Sequence, residues 1–252
     1  MVREGKPPSP ERVAVLQWTA RLGAVTAEAL AGREGTTVAS ARARLGAAER
    51  GRLLARRCLL AGQPALYTVT RAGLRVAGLQ GLDPCRVSAS NALHLIVCAR
   101  VAAALERSYP DHRVRGEREL RCEERRRGTP LASARLGVGP DGDWLLHRPD
   151  LVLCPTAGDG GLPVAVEVEL TVKAPRRLAA ICRAWARCRC VAGVLYLVTP
   201  EVERALERAI QKAHACDRIV VVPLAALPLS DELIHPPLGP NEQIGRSVPG
   251  AA

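Results

Sequence analysis

The chain has 252 residues and carries 36 Lys and Arg against 25 Asp and Glu, a formal net charge of +11. This excess of positive charge favours a polyanionic partner, most simply nucleic acid, and the length suits one large or two small domains. Only 2% of the residues are aromatic and none is Phe, which argues against base stacking on an aromatic platform.

The first ten residues and the apolar runs indicate the compartment. The opening, MVREGKPPSP, is polar and Pro-rich, unlike a signal peptide. The most apolar run, SNALHLIVCARVAAALE, is interrupted by His94 and Arg100, so no membrane-spanning segment is predicted. We therefore expect a cytoplasmic protein with no membrane partner and with nine reduced cysteines. Cys182, Cys188 and Cys190 do not form a paired CxxC set, so no zinc is expected.

Helix signals recur in the first eighty residues. One helix is predicted from Pro10 to the glycine at position 23, and a second begins after Thr26, a residue suited to the N-cap. A third is predicted from Thr36 to Arg50, ended by Gly51. The runs LLARRCLL and ALYTVT then predict a hairpin, and TRAGLRVAGLQGL predicts a closing helix. Residues 10–82 are therefore predicted to form a winged helix-turn-helix domain.

The order of these features resembles that of winged-helix DNA-binding domains: an arginine-rich helix, Gly, a Leu-rich strand, a turn, and Tyr-x-(Val/Leu)-Thr followed by Gly. The residues that carry the resemblance are Arg42, Arg44, Leu45, Gly51, Leu53, Tyr67, Thr70 and Gly73. In such domains the third helix enters the major groove and the wing contacts the DNA backbone. The resemblance implies double-stranded DNA as the partner. The candidate contacts it implies are Thr36, Thr37, Ser40, Arg42 and Arg44 on the helix, with Arg56 and Arg57 near the wing. Some winged helices instead mediate protein contacts, so a homodimer is the alternative.

The pair Asp83-Pro84 is predicted to mark a domain boundary. An apolar helix is then predicted from Ala89 to Ser108; it carries His94, and a single buried His on an apolar helix is more often structural than catalytic. A basic edge strand is predicted from Arg113 to Arg121. The cluster at residues 125–127 is either a set of phosphate contacts or a solvated loop.

Acidic residues interrupt two apolar strands predicted between His147 and Lys173, namely RPDLVLC and PVAVEVEL, which a Gly-rich turn joins. Side chains alternate along a strand, so Glu167 and Glu169 share one face and the valines share the other. Buried carboxylates are costly unless they are paired or bound to a cation. Asp150 opens the first of these strands.

These residues predict a metal site. Asp150 and Glu167 would bind Mg²⁺, which prefers carboxylate oxygens and water, and Glu169 would assist. Lys173 would position the attacking water or neutralise a phosphate, and it is one of only three lysines in an arginine-dominated chain. The alternative is a solvated strand whose carboxylates pair with Arg176 or Arg177.

The same residues resemble the PD-(D/E)XK, or restriction-endonuclease-like, superfamily. Pro149-Asp150 and Glu167 match its pattern, whereas Glu169 stands where the pattern has Lys, and Lys173 is the only Lys nearby. The predicted order αβββαβαβ is completed by four further elements: a helix from Pro175, the strand VAGVLYLV, a helix from Pro200 and the strand DRIVVVPL. The predicted fold class is therefore α+β or α/β, with a restriction-endonuclease-like αβββαβ core and a mixed sheet over residues 88–226. Residues 227–252 are predicted to be a disordered Pro/Gly-rich tail.

Four features follow one another along the chain: a winged helix, a helix carrying His94, the Pro-Asp pair and a Glu-x-acidic strand. Together they resemble the replication-relaxation (mobilisation-associated) family of actinobacterial plasmids and integrative elements. Members combine a winged helix with a nuclease-like domain, and their strand also tends to read Glu-x-acidic. The resemblance implies a DNA-binding protein whose second domain performs Mg²⁺-dependent phosphodiester cleavage. The alternative is a non-catalytic regulator of transcription, plasmid replication or mobilisation. A protein-interaction adaptor would instead show an apolar face on the helix at residues 36–50.

Overall fold

The computed structural model describes residues 9–156 and 161–227. Over these residues the chain is mixed α+β, with eight α-helices and ten strands, five of which form one mixed sheet. The predicted α+β class is confirmed at this level. The predicted leader, most of the Gly-rich turn and nearly all of the predicted tail lie outside the described residues.

The N-terminal unit, residues 9–82, contains four helices and a three-stranded sheet. Its elements are α1 (Pro10–Leu22), β1 (Ala24–Val25), α2 (Ala27–Glu34), α3 (Val38–Arg50), β2 (Leu54–Arg57), β3 (Leu66–Val69) and α4 (Arg71–Val76). Each helix begins after a Ser or Thr whose hydroxyl accepts a backbone N–H of the first turn. The predicted hairpin is confirmed, since β2 pairs antiparallel with β3, and so are the predicted helices, except that the closing helix is shorter than predicted and ends at Val76. Strand β1 pairs with the other side of β3, and its two residues are too few to show an alternation of apolar and polar side chains in the sequence.

The second half of the chain, residues 88–227, surrounds the mixed sheet. Its elements are α5 (Ala89–Ser108), β4 (His112–Gly116), α6 (Glu117–Arg127), β5 (Ala134–Val138), β6 (Trp144–His147), β7 (Leu151–Pro155), β8 (Val164–Glu169), α7 (Pro175–Arg187), β9 (Gly193–Val198), α8 (Pro200–Lys212), β10 (Ile219–Pro223) and a short 3-10 turn (Leu224–Ala226). The sheet order is β10-β9-β8-β7-β4. Strands β8, β9 and β10 are parallel, whereas β4, β7 and β8 are antiparallel neighbours.

Both faces of the sheet are covered, so its central strands are buried on two sides. Val166 and Val168 of β8 pack with α5, whereas Ala165 of the same strand lies in the core formed with α7 and α8. This is the predicted alternation of β8, with the valines on one face. Glu167 and Glu169 stay buried at 3% and 5% exposure, because the α7 face is covered as well.

Helix α5 packs against the N-terminal unit as well as the sheet. Ala99 and Ala103 belong to the hydrophobic core of the N-terminal unit, whereas Val101 and Leu105 belong to the core between α5 and the sheet. By length and composition α5 is the one helix in the described ranges that could cross a membrane. It is mostly buried inside the protein, which is the arrangement of a core helix.

One predicted element is wrong. The strand predicted at residues 113–121 ends at Gly116, and α6 begins at Glu117. Acidic residues in the first turn of α6 and three arginines in its last turn suit the helix dipole. The ion pair between Glu117 and Arg121 is one turn apart along the helix. The cluster at residues 125–127 therefore lies on a helix, not in a loop. The β5–β6 hairpin that follows was not predicted.

Gly73 lies where α4 meets the β2–β3 hairpin. A Cβ atom there would lie 2.2 Å from the Leu53 carbonyl oxygen and 2.6 Å from Val69 Cγ1. We expect Gly73→Ala to lower the free energy of unfolding in urea by about 1–3 kcal/mol, because the backbone at Leu53 must move. The matched control is Gly32→Ala in α2, where nothing lies within 4 Å. That change should raise stability by up to about 1 kcal/mol, and equal effects of the two would contradict the prediction.

Candidate functional site

Strands β7 and β8 bring the predicted acidic residues to one edge of the sheet. Asp150 comes directly before β7, and Glu167 and Glu169 end β8. The two strands are antiparallel, with Leu151 opposite Val166, so the start of β7 lies beside the end of β8. This edge also carries the carboxyl ends of β9 and β10, the end of parallel strands at which open α/β sheets bind ligands.

Asp150 is held by both of its carboxylate oxygens. Oδ2 accepts the backbone N–H of Val168 at 2.8 Å, and Oδ1 lies 3.0 Å from Nε2 of His94 on α5. Burial lowers the pKa of His94, but the hydrogen bond and the charge of Asp150 outweigh it, so the pKa is raised overall. His94, predicted as a structural residue, is therefore part of the acidic site.

Glu167 lies on the α7 face of the sheet and has two partners. Its Oε1 accepts the indole N–H of Trp185 at 3.2 Å and lies 2.6 Å from Nε2 of His147 at the end of β6. The rings of His147 and Trp185 meet edge to face, with centroids 5.7 Å apart. Burial raises the pKa of Glu167, and the hydrogen bond and charge of His147 only partly oppose it.

Glu169 forms an ion pair with Lys173, four residues later. Each of the three carboxylates thus has a basic neighbour: His94, His147 and Lys173. The alternative interpretation, a solvated strand face with carboxylates paired to Arg176 or Arg177, is wrong, because Glu167 and Glu169 are buried and pair with other residues. Arg176 and Arg177 are exposed on the first turn of α7.

A further buried carboxylate, besides Glu167 and Glu169, lies next to this site and was missed in the sequence. Glu124 of α6 is 3% exposed and accepts Arg148 Nε–H at 2.9 Å. Its other oxygen accepts the Ser133 hydroxyl at 2.6 Å and the Leu131 N–H at 3.0 Å. Through these hydrogen bonds, Glu124 links the loop after α6 to the chain segment between His147 and Asp150.

As placed, Asp150 and Glu167 already have hydrogen-bond partners, which a Mg²⁺ ion would have to displace. A Mg²⁺ ion needs carboxylate oxygens that are open to an octahedral shell with several waters. Both oxygens of Asp150 are engaged, and Glu167 is 3% exposed and bonded to His147 and Trp185. The group of His, Cys, Asp and Glu that does converge within the described residues consists of His94, Cys98 and Asp150.

The predicted DNA contacts lie on α3 and β2. Thr36, Thr37, Ser40 and Arg42 are exposed around the amino end of α3. Thr37 is the N-cap, since its hydroxyl accepts the Ser40 N–H at 3.2 Å. Arg44 is half-buried and paired with Glu34, which leaves it the least available of the set. Arg56 and Arg57 are exposed on β2, an edge strand of its sheet.

No protein-family model matches the sequence, and comparisons with curated proteins and with solved structures give no significant match. Any assignment of function to this chain therefore rests on the chemistry of its own residues.

Proposed function

We propose that the protein binds double-stranded DNA and that residues 10–82 act as a winged helix-turn-helix. One observation carries the proposal: the exposed amino end of α3 and the adjoining edge strand β2 offer hydroxyl and guanidinium groups. Hydroxyls and arginines are the groups that proteins use most to contact phosphate and base edges. The chain's net charge of +11 would add non-specific attraction to DNA.

The exposed surface of α3 argues against a protein-interaction adaptor. The exposed side chains around its amino end include four polar ones, Thr36, Thr37, Ser40 and Arg42. Val38 is the one large apolar side chain on α3 that is exposed, at 36%. Protein interfaces usually have an apolar, water-excluding centre, which this surface lacks. The polar surface therefore favours a nucleic-acid partner.

For the second half of the chain we propose a restriction-endonuclease-like core. Without α6, β5 and β6, the element order from α5 onward is αβββαβαβ around a mixed sheet. This order supports the resemblance to the PD-(D/E)XK superfamily, and α6, β5 and β6 would be an insertion in that core. It also supports a place in the replication-relaxation family.

The geometry favours a non-catalytic regulator over a nuclease. His147 and Lys173 each pair with a carboxylate that a cleavage mechanism would need free, and Glu167 is bonded inside the core. Metal-dependent cleavage is the second candidate. It is favoured by one observation, that Asp150, Glu167 and Glu169 meet at one edge of the sheet with Lys173 beside them.

DNA binding can be tested by removing the two arginines of β2. We expect Arg56→Ala/Arg57→Ala to weaken binding to a labelled duplex at least about tenfold. The slope of log affinity against log salt should fall by about two, because each lost phosphate contact removes about one unit. The measurement is fluorescence anisotropy over a salt series.

The matched control is Arg187→Ala/Arg204→Ala, which removes the same charge from exposed positions of α7 and α8. This variant should keep most of the affinity. An equal loss in both double variants would mean that binding depends on overall charge, and it would contradict docking through β2.

Cleavage can be tested with supercoiled plasmid and Mg²⁺ or Mn²⁺, using the wild type, Asp150→Ala and Glu167→Gln. We expect binding without nicking in all three. Nicking by the wild type that both variants lose would overturn the non-catalytic assignment and establish a nuclease. Nicking that both variants retain would indicate a contaminating enzyme, and binding without cleavage would then stand.

A further inference from the structure

Three potential metal ligands meet on the α5 side of the sheet. His94 and Cys98 are four residues apart on α5, so they lie one turn apart on the same side of the helix. His94 Nε2 lies 3.4 Å from Cys98 Sγ and 3.0 Å from Asp150 Oδ1. All three ligand atoms lie within 4.8 Å of one another.

These separations suit a small tetrahedral ion. Bonds of about 2.0–2.3 Å at tetrahedral angles place neighbouring nitrogen, oxygen and sulfur ligands about 3.3–3.6 Å apart. The two separations measured from His94 Nε2 differ from this range by a few tenths of an ångström or less. Small side-chain shifts would bring both of these separations into the tetrahedral range.

The donor types select the class of metal. A thiolate and an imidazole are soft or borderline ligands that suit zinc-like ions, whereas Mg²⁺ and Ca²⁺ prefer oxygen ligands throughout. The Val168 N–H holds Asp150 Oδ2, which fixes the carboxylate so that Oδ1 faces the cluster. The His94 side chain is 38% exposed, so an ion can approach the cluster from the side of His94.

We propose that His94, Cys98 and Asp150 form a site for a zinc-class divalent transition metal ion, with a fourth position for water or a ligand. Binding would displace two protons: the one on the Cys98 thiol, which is released to solvent, and the one shared by His94 Nε2 and Asp150 Oδ1, which moves to His94 Nδ1 or to solvent. The expectation of no zinc rested on the spacing of Cys182, Cys188 and Cys190. A His-Cys pair on a helix with a distant Asp does not match the CxxC pattern on which that expectation relied. The proposal is independent of DNA binding.

A second thiol pair has to be controlled for. Cys188 and Cys190 have sulfurs 3.3 Å apart beside a cavity of about 580 Å³, and the hydrogen bond from Cys190 lowers the pKa of Cys188 to about 6. A reactive pair of this kind could take up a soft metal on its own. The experiment therefore includes Cys188→Ala/Cys190→Ala as the matched control.

The test uses the full chain, stripped with a chelator and titrated with Co²⁺ alone, followed by competition with Zn²⁺. A thiolate–cobalt charge-transfer band and tetrahedral d–d bands should grow to one equivalent, and Zn²⁺ should remove them. We expect Cys98→Ala to abolish the charge-transfer band. His94→Gln and Asp150→Asn should weaken metal affinity at least about tenfold. The Cys188→Ala/Cys190→Ala variant should keep the spectrum.

Three results would overturn the site: no binding, a spectrum unchanged in Cys98→Ala, or a spectrum lost only in Cys188→Ala/Cys190→Ala. Far-UV circular dichroism of each stripped variant establishes that it is folded. If Cys98→Ala does not fold, His94→Gln decides the question, because its side chain is partly exposed and the change removes only one ligand. Unchanged affinity in a folded His94→Gln would also refute the site.

Discussion

Replacing Arg148 by Ala is expected to lower the free energy of unfolding by about 3–5 kcal/mol, because it leaves the buried Glu124 carboxylate without its counter-charge. Arg148 Nε–H donates to Glu124 Oε2 at 2.9 Å, and Glu124 is 3% exposed. The remaining donors, from Ser133 and Leu131, serve the other oxygen. Urea denaturation followed by circular dichroism measures the loss.

A double-mutant cycle separates the charge from the packing. Glu124→Gln on its own removes the negative charge, and in the Arg148→Ala background it should recover part of the lost stability. The matched control is Arg126→Ala, since Arg126 pairs with Glu123 on the same helix but is 71% exposed. Its removal should leave stability almost unchanged. Similar losses at both arginines would contradict a special role for the buried pair.

Replacing Trp185 by Ala is expected to cost about 3–5 kcal/mol. Trp185 is fully buried in the core between α7 and the sheet, so its loss would leave a large cavity. Its indole N–H also donates to Glu167, and the same change would remove that donor from a buried carboxylate. The free energy of unfolding in urea measures the combined cost.

Trp185→Phe distinguishes the two contributions. It keeps most of the packing but loses the N–H, and it should cost about 1–3 kcal/mol through the weaker solvation of Glu167. The matched control is Trp144→Phe, because Trp144 is 52% exposed and stacks on Arg135 at the surface. That change should alter stability by less than about 0.5 kcal/mol. If Trp185→Phe were equally neutral, the bond to Glu167 would contribute nothing to stability.

Local signals in the sequence predicted the helices well. Thr26 and Pro10 marked helix starts, and the apolar helix at Ala89–Ser108 was predicted with its observed bounds. The period-two pattern predicted which side chains of β8 share a face. These features depend on neighbours within a few residues, so they are visible in sequence. Helix α6 was missed because its Arg and Glu residues give almost no apolar period.

The partners of the acidic residues were not predictable, because no local pattern joins them. His94 and Asp150 are hydrogen-bonded although they lie 56 residues apart in the sequence, and Glu167 and His147 although they lie 20 residues apart. Such pairs form only when a helix, a hairpin and a strand pack together. The roles assigned to Lys173 in catalysis and to the α3 residues in DNA contact stay predictions, as do the domain limits at residues 82 and 88.

Helix α5 has a consequence for how such a protein can evolve. Trp18 and Arg33 of the N-terminal unit both bond Glu106 near the end of α5, and Ala99 and Ala103 complete that unit's core. Recombination that joined residues 10–82 to a foreign partner would remove these contacts and expose apolar surface. The two halves are therefore expected to be inherited together, as one genetic unit rather than as interchangeable cassettes.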